Sequence, residues 1–272
     1  MVEIHFFNVG CGNMVLFKFP GGITYLYDCN VTEDNESRVL AYLDKAMGQR
    51  SYIDAFICSH RAADHMRGIT KVHQAYPIKR IRDPDMAGTT TDSPEYREYM
   101  RLRSRVGYEP IEARTIRNIG DVVIRFMNSQ DDDLADANEQ SIVMKVEYKG
   151  GAAMLAGDTS FRPWKEKLLP FYSDTQLKAD ILLAAHHGSL SFFDDPTDER
   201  HYYTAHIKKI SPAMTLISVG PNVHELPDEK ALELYEKYST GSNKGNKLYT
   251  TEEKGNMKLI LEEGDWNLSV NQ

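Results

Sequence analysis

Short apolar runs separated by turn residues recur along the whole chain. Runs of about four to eight apolar residues with such borders are typical of buried strands. Predicted strands lie at Val2–Val9, Met14–Phe19, Ile23–Tyr27, Ile53–Cys58, Ile78–Ile81, Val122–Met127, Ser141–Tyr148, Ala152–Leu155, Ile181–Ala185, Met214–Val219, Leu248–Thr250 and Met257–Leu261. The pattern therefore predicts a protein built on β-sheets.

Apolar residues three or four positions apart predict helices between these strands. Asp92-Ser93-Pro94-Glu95 is a typical helix start, because Ser or Asp can cap and Pro suits the first turn. Helices are also predicted at Glu36–Met47, Gly68–Ala75, around Arg162–Leu169 and at Asp228–Tyr238. Strands that alternate with helices favour a layered α/β sandwich.

Length and charge limit the class of protein. The 272 residues suit one domain over 1–272, with insertions near 83–112 and 190–212, because larger chains more often divide. No apolar run could span a bilayer, and the chain starts with a predicted strand, so we expect no signal peptide and a cytoplasmic location. The net charge of −8 argues against non-specific coating of nucleic acid, although it allows a local basic groove.

The three cysteines do not form a recognisable motif. Cys11, Cys29 and Cys58 are an odd number and contain no Cys-x-x-Cys pair. We interpret them as small core residues in a reducing compartment rather than as a disulfide framework.

Potential metal ligands follow four of the predicted strands. A lone buried histidine is usually a hydrogen-bonded core residue, but four strand ends with His or Asp are not expected by chance. Functional groups of layered α/β folds collect on loops at one edge of the sheet. The candidate ligands are His60, Asp64, His65, Asp158, His186, His187 and His224. We therefore predict a metal site.

The ligand types indicate what the metal does. Imidazole and carboxylate without thiolate favour Zn²⁺, Mn²⁺ or iron over a structural zinc site. One carboxylate, such as Asp158, can bridge two ions, and two ions can hold a phosphate for in-line attack. The sequence has neither a Gly-x-Ser-x-Gly elbow nor a Walker phosphate loop. Metal-assisted hydrolysis is therefore favoured.

Two polar segments are candidates for substrate contact. The helix after Asp92 carries several arginines and tyrosines, which form either a solvated face or a lid that contacts phosphates and bases. The polar, aromatic segment Leu190–Lys209 is predicted to form a loop over the site. The candidate substrate-binding residues are Arg97, Arg101, Arg105 and Lys208. The acidic run Asp131–Asp136 is interpreted as a solvated loop.

The motifs and their order resemble one known family. They are Asn8-Val9-Gly10-Cys11-Gly12-Asn13, Tyr27-Asp28-Cys29, Ser59-His60 with Asp64-His65, Asn138-Glu139-Gln140-Ser141, Leu155-Ala156-Gly157-Asp158, His186-His187-Gly188-Ser189, and Ser218-Val219-Gly220 with Asn222 and His224. This series resembles the hydrolase domain of ComEC-type competence proteins, a branch of the metallo-β-lactamase fold. The resemblance implies an αββα sandwich with two divalent metal ions, Zn or Mn, at the sheet edge, and DNA as substrate.

The resemblance also implies a role for each candidate residue. His60 would bind the first metal, Asp64 and His65 the second, and Asp158 both. His187, rather than His186, would complete the site, and Asp28 would orient the loop. His224 would be a ligand or an acid that contacts the phosphate, so that Asp64 and His224 are the catalytic candidates.

Ala62 departs from the family pattern, because a ligand is expected there. One explanation is that Ala62 replaces an Asp or His of the natural protein and inactivates this form, which the intact remainder of the site favours. The other is that alanine is natural, so that the site holds one metal or none, or the protein only binds.

The function predicted from the sequence is metal-dependent hydrolysis, with a DNA nuclease or phosphodiesterase favoured. Three alternatives stay open: an effector activated by a protein partner or by homo-oligomerisation, as in antiphage defence; a hydrolase of small phosphodiesters, thioesters or lactones; and a catalytically silent interaction domain. No membrane partner is expected.

Overall fold

The structure is a computed structural model that describes residues 1–88, 90–131, 133–134, 136–195, 202–241 and 245–270. Its strands are β1 (Val2–Phe6), β2 (Val15–Lys18), β3 (Thr24–Tyr27), β4 (Cys29–Asn30), β5 (Ala55–Ile57), β6 (Ile81–Asp83), β7 (Tyr108–Pro110), β8 (Thr115–Ile119), β9 (Val122–Asn128), β10 (Val143–Tyr148), β11 (Gly151–Leu155), β12 (Ile181–Leu183), β13 (Met214–Ile217), β14 (Leu248–Thr250), β15 (Met257–Glu262) and β16 (Asp265–Val270). Its α-helices are α1 (Glu36–Met47), α2 (Ala63–Met66), α3 (Ile69–Ala75), α4 (Pro94–Val106), α5 (Phe161–Pro163), α6 (Leu169–Phe171), α7 (Asp174–Leu177), α8 (Ala205–Ile210), α9 (Glu229–Tyr238) and α10 (Thr251–Lys254).

Two mixed sheets pack face to face. The first has the strand order β16-β15-β1-β2-β3-β5-β6-β7, and the second has the order β14-β13-β12-β11-β10-β9-β8. Alternate residues of β1, namely Val2, Ile4 and Phe6, point into the core between the sheets, where they meet Ile124 and Met144 of the second sheet. Burial of these inward faces supplies the main driving force for the sandwich.

Helices cover the outer face of each sheet, which completes an αββα sandwich. On the first sheet, α1 buries Val39, Leu43 and Met47, which lie at helical spacing. On the second, α9 buries Leu234 and Tyr235. The predicted α/β sandwich is confirmed.

The strands that deliver the candidate ligands run parallel. In the first sheet, β3, β5, β6 and β7 form parallel pairs, and in the second sheet β11, β12, β13 and β14 do the same. Their carboxyl ends therefore lie at the same edge of each sheet, where the loops leave. This edge carries the candidate site.

Some local predictions were wrong. Segment 190–209 is not one loop, because α8 begins at Ala205 and packs His206 and Ile207 into the core; its residues 196–201, His201 among them, lie outside the described residues. The predicted strand at Ile78–Ile81 instead begins at Ile81. Strands β8 and β16 were missed, since both are half exposed and lack a continuous apolar run. None of the helices in the described ranges has the length and apolar character needed to cross a membrane.

Candidate metal centre

Four predicted ligands converge at the sheet edge. One ligand atom from each of Asp64, His65, Asp158 and His187 lies within 4.8 Å of the others. His65 Nε2 is 3.1 Å from Asp158 Oδ2, and His187 Nε2 is 3.2 Å from Asp64 Oδ2. Two imidazoles and two carboxylates are a donor set that Zn²⁺, Mn²⁺ and iron accept.

The charges of this cluster are strongly coupled. Burial alone would lower the pKa of His65, but Asp158, Asp28 and Asp64 outweigh it and raise that pKa well above its ordinary value. Burial would raise the pKa of Asp158, yet His65 and His187 hold it well below its ordinary value. Asp158 is therefore ionised in the interior, where a cation that displaces the histidine protons would be strongly favoured.

His65 is oriented by groups behind it. Its Nδ1 is 2.7 Å from Oδ2 of the fully buried Asp28. Ser59 holds this carboxylate through its backbone N–H, 2.6 Å from Oδ1, and its hydroxyl, 2.8 Å from Oδ2. A carboxylate on one ring nitrogen directs the other nitrogen toward a metal. Asp28 therefore contacts a candidate ligand rather than joining the four-residue cluster.

The two adjacent histidines occupy different places. His186 and His187 both have a left-handed backbone, with φ of 48° and 52°, which is uncommon outside glycine. This turn buries His187, whose Nδ1 is 3.0 Å from the carbonyl oxygen of Ser218. The side chain of His186 stays 32% exposed, with Nε2 3.8 Å from Asp158 Oδ2. His187, not His186, thus joins the cluster.

His60 lies next to the cluster with an unused nitrogen. Its Nε2 and Oδ1 of Asp158 are both buried and have no hydrogen-bond partner among the described residues. Burial and the neighbouring His65 lower the pKa of His60 to about 3, so its imidazole is neutral at pH 7. Buried polar groups normally have partners. A bound metal ion would be a suitable partner for both of these atoms. His60 Nε2 is 3.9 Å from Asp158 Oδ2.

Ala62 lies between His60 and Asp64, at the N-cap of the short helix α2. Its backbone is extended, with φ of −103° and ψ of 156°, and no side chain caps the helix. Asp and Asn are among the preferred residues at such a position, whereas Ala is poor. Position 62 thus lacks both a metal ligand and a cap.

The other predicted site residues lie outside the cluster. His224 is exposed on the loop after β13, where it lines a cavity that also touches Asp64. Arg97, Arg101 and Arg105 are exposed on α4, and Lys208 is exposed in the last turn of α8. Lys208 precedes β13, so it lies toward the opposite edge of the second sheet from the carboxyl ends of its parallel strands.

A buried ionic network, which sequence reasoning missed, holds the ligand loop. Arg61, between His60 and Ala62, donates from Nε and Nη2 to the carboxylate of Asp83 at 3.1 Å. Asp83 also accepts from Arg103 Nε at 2.9 Å and from Tyr99 Oη at 2.5 Å. This fully buried carboxylate therefore ties the ligand loop to the end of β6 and to α4.

We expect Asp83→Asn to destabilise the fold by about 3–5 kcal/mol, because it removes the buried counter-charge of two buried guanidinium groups and leaves them only the partly exposed Asp85. Urea unfolding measures this free energy. Asp85→Asn is the matched control: Asp85 pairs with Arg61 and Arg103 but is 39% exposed, so the expected loss is under about 1 kcal/mol. Equal losses in the two variants would contradict the special role of Asp83.

Comparison with known proteins agrees with this architecture. Over 93% of its length the chain superposes on 97% of the metallo-β-lactamase fold protein YhfI from Bacillus subtilis, with a TM-score of 0.50 and 16% identity. Over 96% it superposes on the whole of Igni18, a metallo hydrolase from Ignicoccus hospitalis, with a TM-score of 0.54 and 10% identity. The chain has the metallo-β-lactamase fold.

Its sequence is similar to ComE operon protein 3 of Bacillus subtilis strain 168, with 25% identity over 189 residues, or 69% of this chain. This likeness supports the ComEC-type branch. The match spans 23% of the length of that relative. No protein-family model matches the chain.

Proposed function

We propose that this protein is a metal-dependent hydrolase that cleaves phosphodiester bonds of DNA. The observation that carries the proposal is the cluster of Asp64, His65, Asp158 and His187 beside two unpartnered buried donor atoms. The metallo-β-lactamase fold supports a hydrolase, and the similarity to ComE operon protein 3 together with the motifs that resemble ComEC-type competence proteins supports DNA as the substrate.

The proposed roles follow from the geometry. Asp64, His65, Asp158 and His187 would hold one divalent cation, and His60 and Asp158 would hold a second more weakly, because Ala62 supplies no ligand. A cation bound there supplies Lewis-acid chemistry, which polarises a phosphoryl oxygen and lowers the pKa of water. Asp28 and Ser218 fix the histidine rings. The exposed His224 would contact the phosphate or donate a proton to the leaving oxygen.

The cavity beside Asp64 favours an extended substrate over a small one. It has a volume of about 680 Å³, which suits a nucleotide, and its rim includes the exposed residues Val223 and His224. A hydrolase of small molecules would bury most of its substrate in a closed pocket. An open rim allows a strand to continue beyond the scissile bond.

The test combines metal analysis with a hydrolysis assay. The purified chain is incubated with Mn²⁺, Mg²⁺ or Zn²⁺ and with single-stranded DNA, double-stranded DNA, RNA or bis-p-nitrophenyl phosphate. Cleavage of DNA that a chelator abolishes supports the proposal. A chain that binds metal and hydrolyses only the small ester would favour the small-molecule alternative, and no hydrolysis with any metal would contradict catalysis by this form.

We expect Arg101→Glu to weaken DNA binding by about tenfold, because reversal of an exposed charge on α4 repels the phosphate backbone. Fluorescence anisotropy with a labelled oligonucleotide measures the dissociation constant, and the wild-type affinity should fall as salt rises. Lys237→Glu changes the charge by the same amount on the exposed last turn of α9 and serves as the control. Salt-independent binding, or an equal loss of affinity in both variants, would contradict a contact between α4 and DNA.

A further inference from the structure

The cavity beside Asp64 contains charged groups that the proposed reaction does not yet use. It lies between the start of α1, the helix α2 and the loops after β1 and β13. We call it the Arg38/Arg67 cavity, because these two cations line it. Its other polar lining includes Asn30, Asp34, Asp64 and His224. Since Asp64 belongs to the metal cluster, the cavity borders the proposed reaction centre at this residue.

The two arginines come from different elements and reach the same space. Arg67 directly follows α2, three positions after Asp64, so it lies about one helical turn from a metal ligand. Its Nε is 3.4 Å from Oε1 of Glu95, and its side chain is 37% exposed. Arg38, in the first turn of α1, donates from Nη1 to the carbonyl oxygen of Asn8 and is exposed. Both guanidinium groups therefore keep donors that an anion can use.

Asn30 adds a buried polar group without a partner. It is 3% exposed and lines the cavity, and its side-chain oxygen has no hydrogen-bond partner within the described ranges. Its amide nitrogen donates to the carbonyl oxygen of Cys11 at 2.9 Å, so the oxygen is the free end. The chain makes room for this side chain, since a Cβ at Gly12 would come 2.3 Å from Asn30 Nδ2. A hydroxyl of a bound ligand, such as that of a sugar, would supply the hydrogen bond that this buried oxygen lacks.

We propose that the Arg38/Arg67 cavity binds the nucleotide next to the scissile bond, with Arg38 and Arg67 on its phosphate and Asn30 on a donor of its sugar or base. This inference rests on the proposed function, because it names the subsite that the same active centre would use. Arginine suits a phosphate through paired N–H groups. The exposed ring of His224 and the 90% exposed side chain of Val223 offer faces for the base at the rim.

Two carboxylates near the arginines offset part of the positive charge that a phosphate would meet. Asp34 lines the same cavity and is exposed, and Glu95 pairs with Arg67. Asp64 also lines it, but a cation held by Asp64 would compensate that charge. Loss of the carboxylate at Glu95 should therefore strengthen phosphate binding, whereas loss of either arginine should weaken it.

The experiment measures binding apart from catalysis. Thymidine 5′-monophosphate is titrated calorimetrically into the full chain in the presence of Ca²⁺, with thymidine and inorganic phosphate as separate probes. Arg67→Ala and Arg38→Ala should each raise the dissociation constant of the monophosphate about tenfold. Glu95→Gln should lower it severalfold, and Lys237→Ala, on the far edge, should leave it unchanged. Melting temperatures verify that each variant is folded.

The outcomes separate this inference from the proposed function. Dissociation constants equal to the wild-type value in both arginine variants would overturn the inference, even if the chain cleaves DNA. Binding of thymidine as tight as that of the monophosphate would overturn the phosphate assignment as well. Arginine-dependent binding of the monophosphate by a chain that hydrolyses nothing would uphold the subsite and contradict the hydrolase.

Discussion

Replacement of Ala62 by Asp is expected to raise the metal content of the protein from about one ion to about two ions per chain and to increase DNA hydrolysis. The neighbouring donor atoms are already in place, since His60 Nε2 and Asp158 Oδ1 are buried without partners. Because two ions can hold both the attacking and the leaving oxygen, we expect a gain of at least about 100-fold in rate. Elemental analysis after dialysis and a hydrolysis assay measure the two effects.

The position of Ala62 makes a matched control available. Asp and Asn both cap a helix well, and α2 has no side-chain cap at present. Ala62→Asn should therefore raise the melting temperature about as much as Ala62→Asp while leaving the metal content near one ion, because an amide is a weaker ligand for these metals. A second ion in the Asn variant would show that capping, rather than ligation, completes the site.

This pair of variants also decides between the two explanations of Ala62. If Asp restores both the second ion and hydrolysis, alanine occupies a ligand position in a site otherwise built for two metals. If neither metal content nor hydrolysis rises, the idea that Ala62 replaces a native ligand is wrong, and the four-residue cluster is a site for one ion. The first outcome would make the Ala62 chain the weaker of the two catalysts, and the second would make it the working form.

The parts of this site that the sequence predicts are those with a short-range pattern. His60, Asp64 and His65 directly follow an apolar run, and Asp158 and His187 follow two others, so the strand ends locate them. Parallel strands then bring their loops to one edge. The sandwich could be predicted from the same periodicity, because the alternate apolar residues of each strand have to face a common core.

Other parts depend on contacts between distant residues and carry no local signal. Arg61 and Asp83 are 22 positions apart, and nothing near either one indicates a buried pair. Arg38 lies on α1 and Arg67 directly follows α2, far apart in the sequence, and only the fold places both in one cavity. The arginines of α4 are dense in the sequence, but Arg97, Arg101 and Arg105 are exposed and lie outside the metal cluster, so their contact with a substrate stays a prediction.

Among substitutions in the chain that carries Ala62, Asp158→Asn is expected to have the greatest effect. Asp158 contributes to both proposed metal positions, and its neighbours hold its pKa well below the ordinary value, so it is the buried negative charge around which the histidines gather. An amide of the same shape removes that charge. We expect metal affinity to fall by more than about 100-fold and hydrolysis to become undetectable.

Asp28→Asn is the matched control for Asp158→Asn, since both residues are buried carboxylates that contact opposite nitrogens of His65. Asp28 orients the ring without joining the cluster, so its loss should lower metal affinity by about 10–100-fold, as is typical of groups behind a ligand. Calorimetric titration with Mn²⁺ and Zn²⁺ measures both affinities. An effect of Asp28→Asn that equals or exceeds that of Asp158→Asn would mean that the metal lies on the Asp28 side of the ring. The four-residue cluster would then hold His65 and His187 as ion pairs rather than as metal ligands.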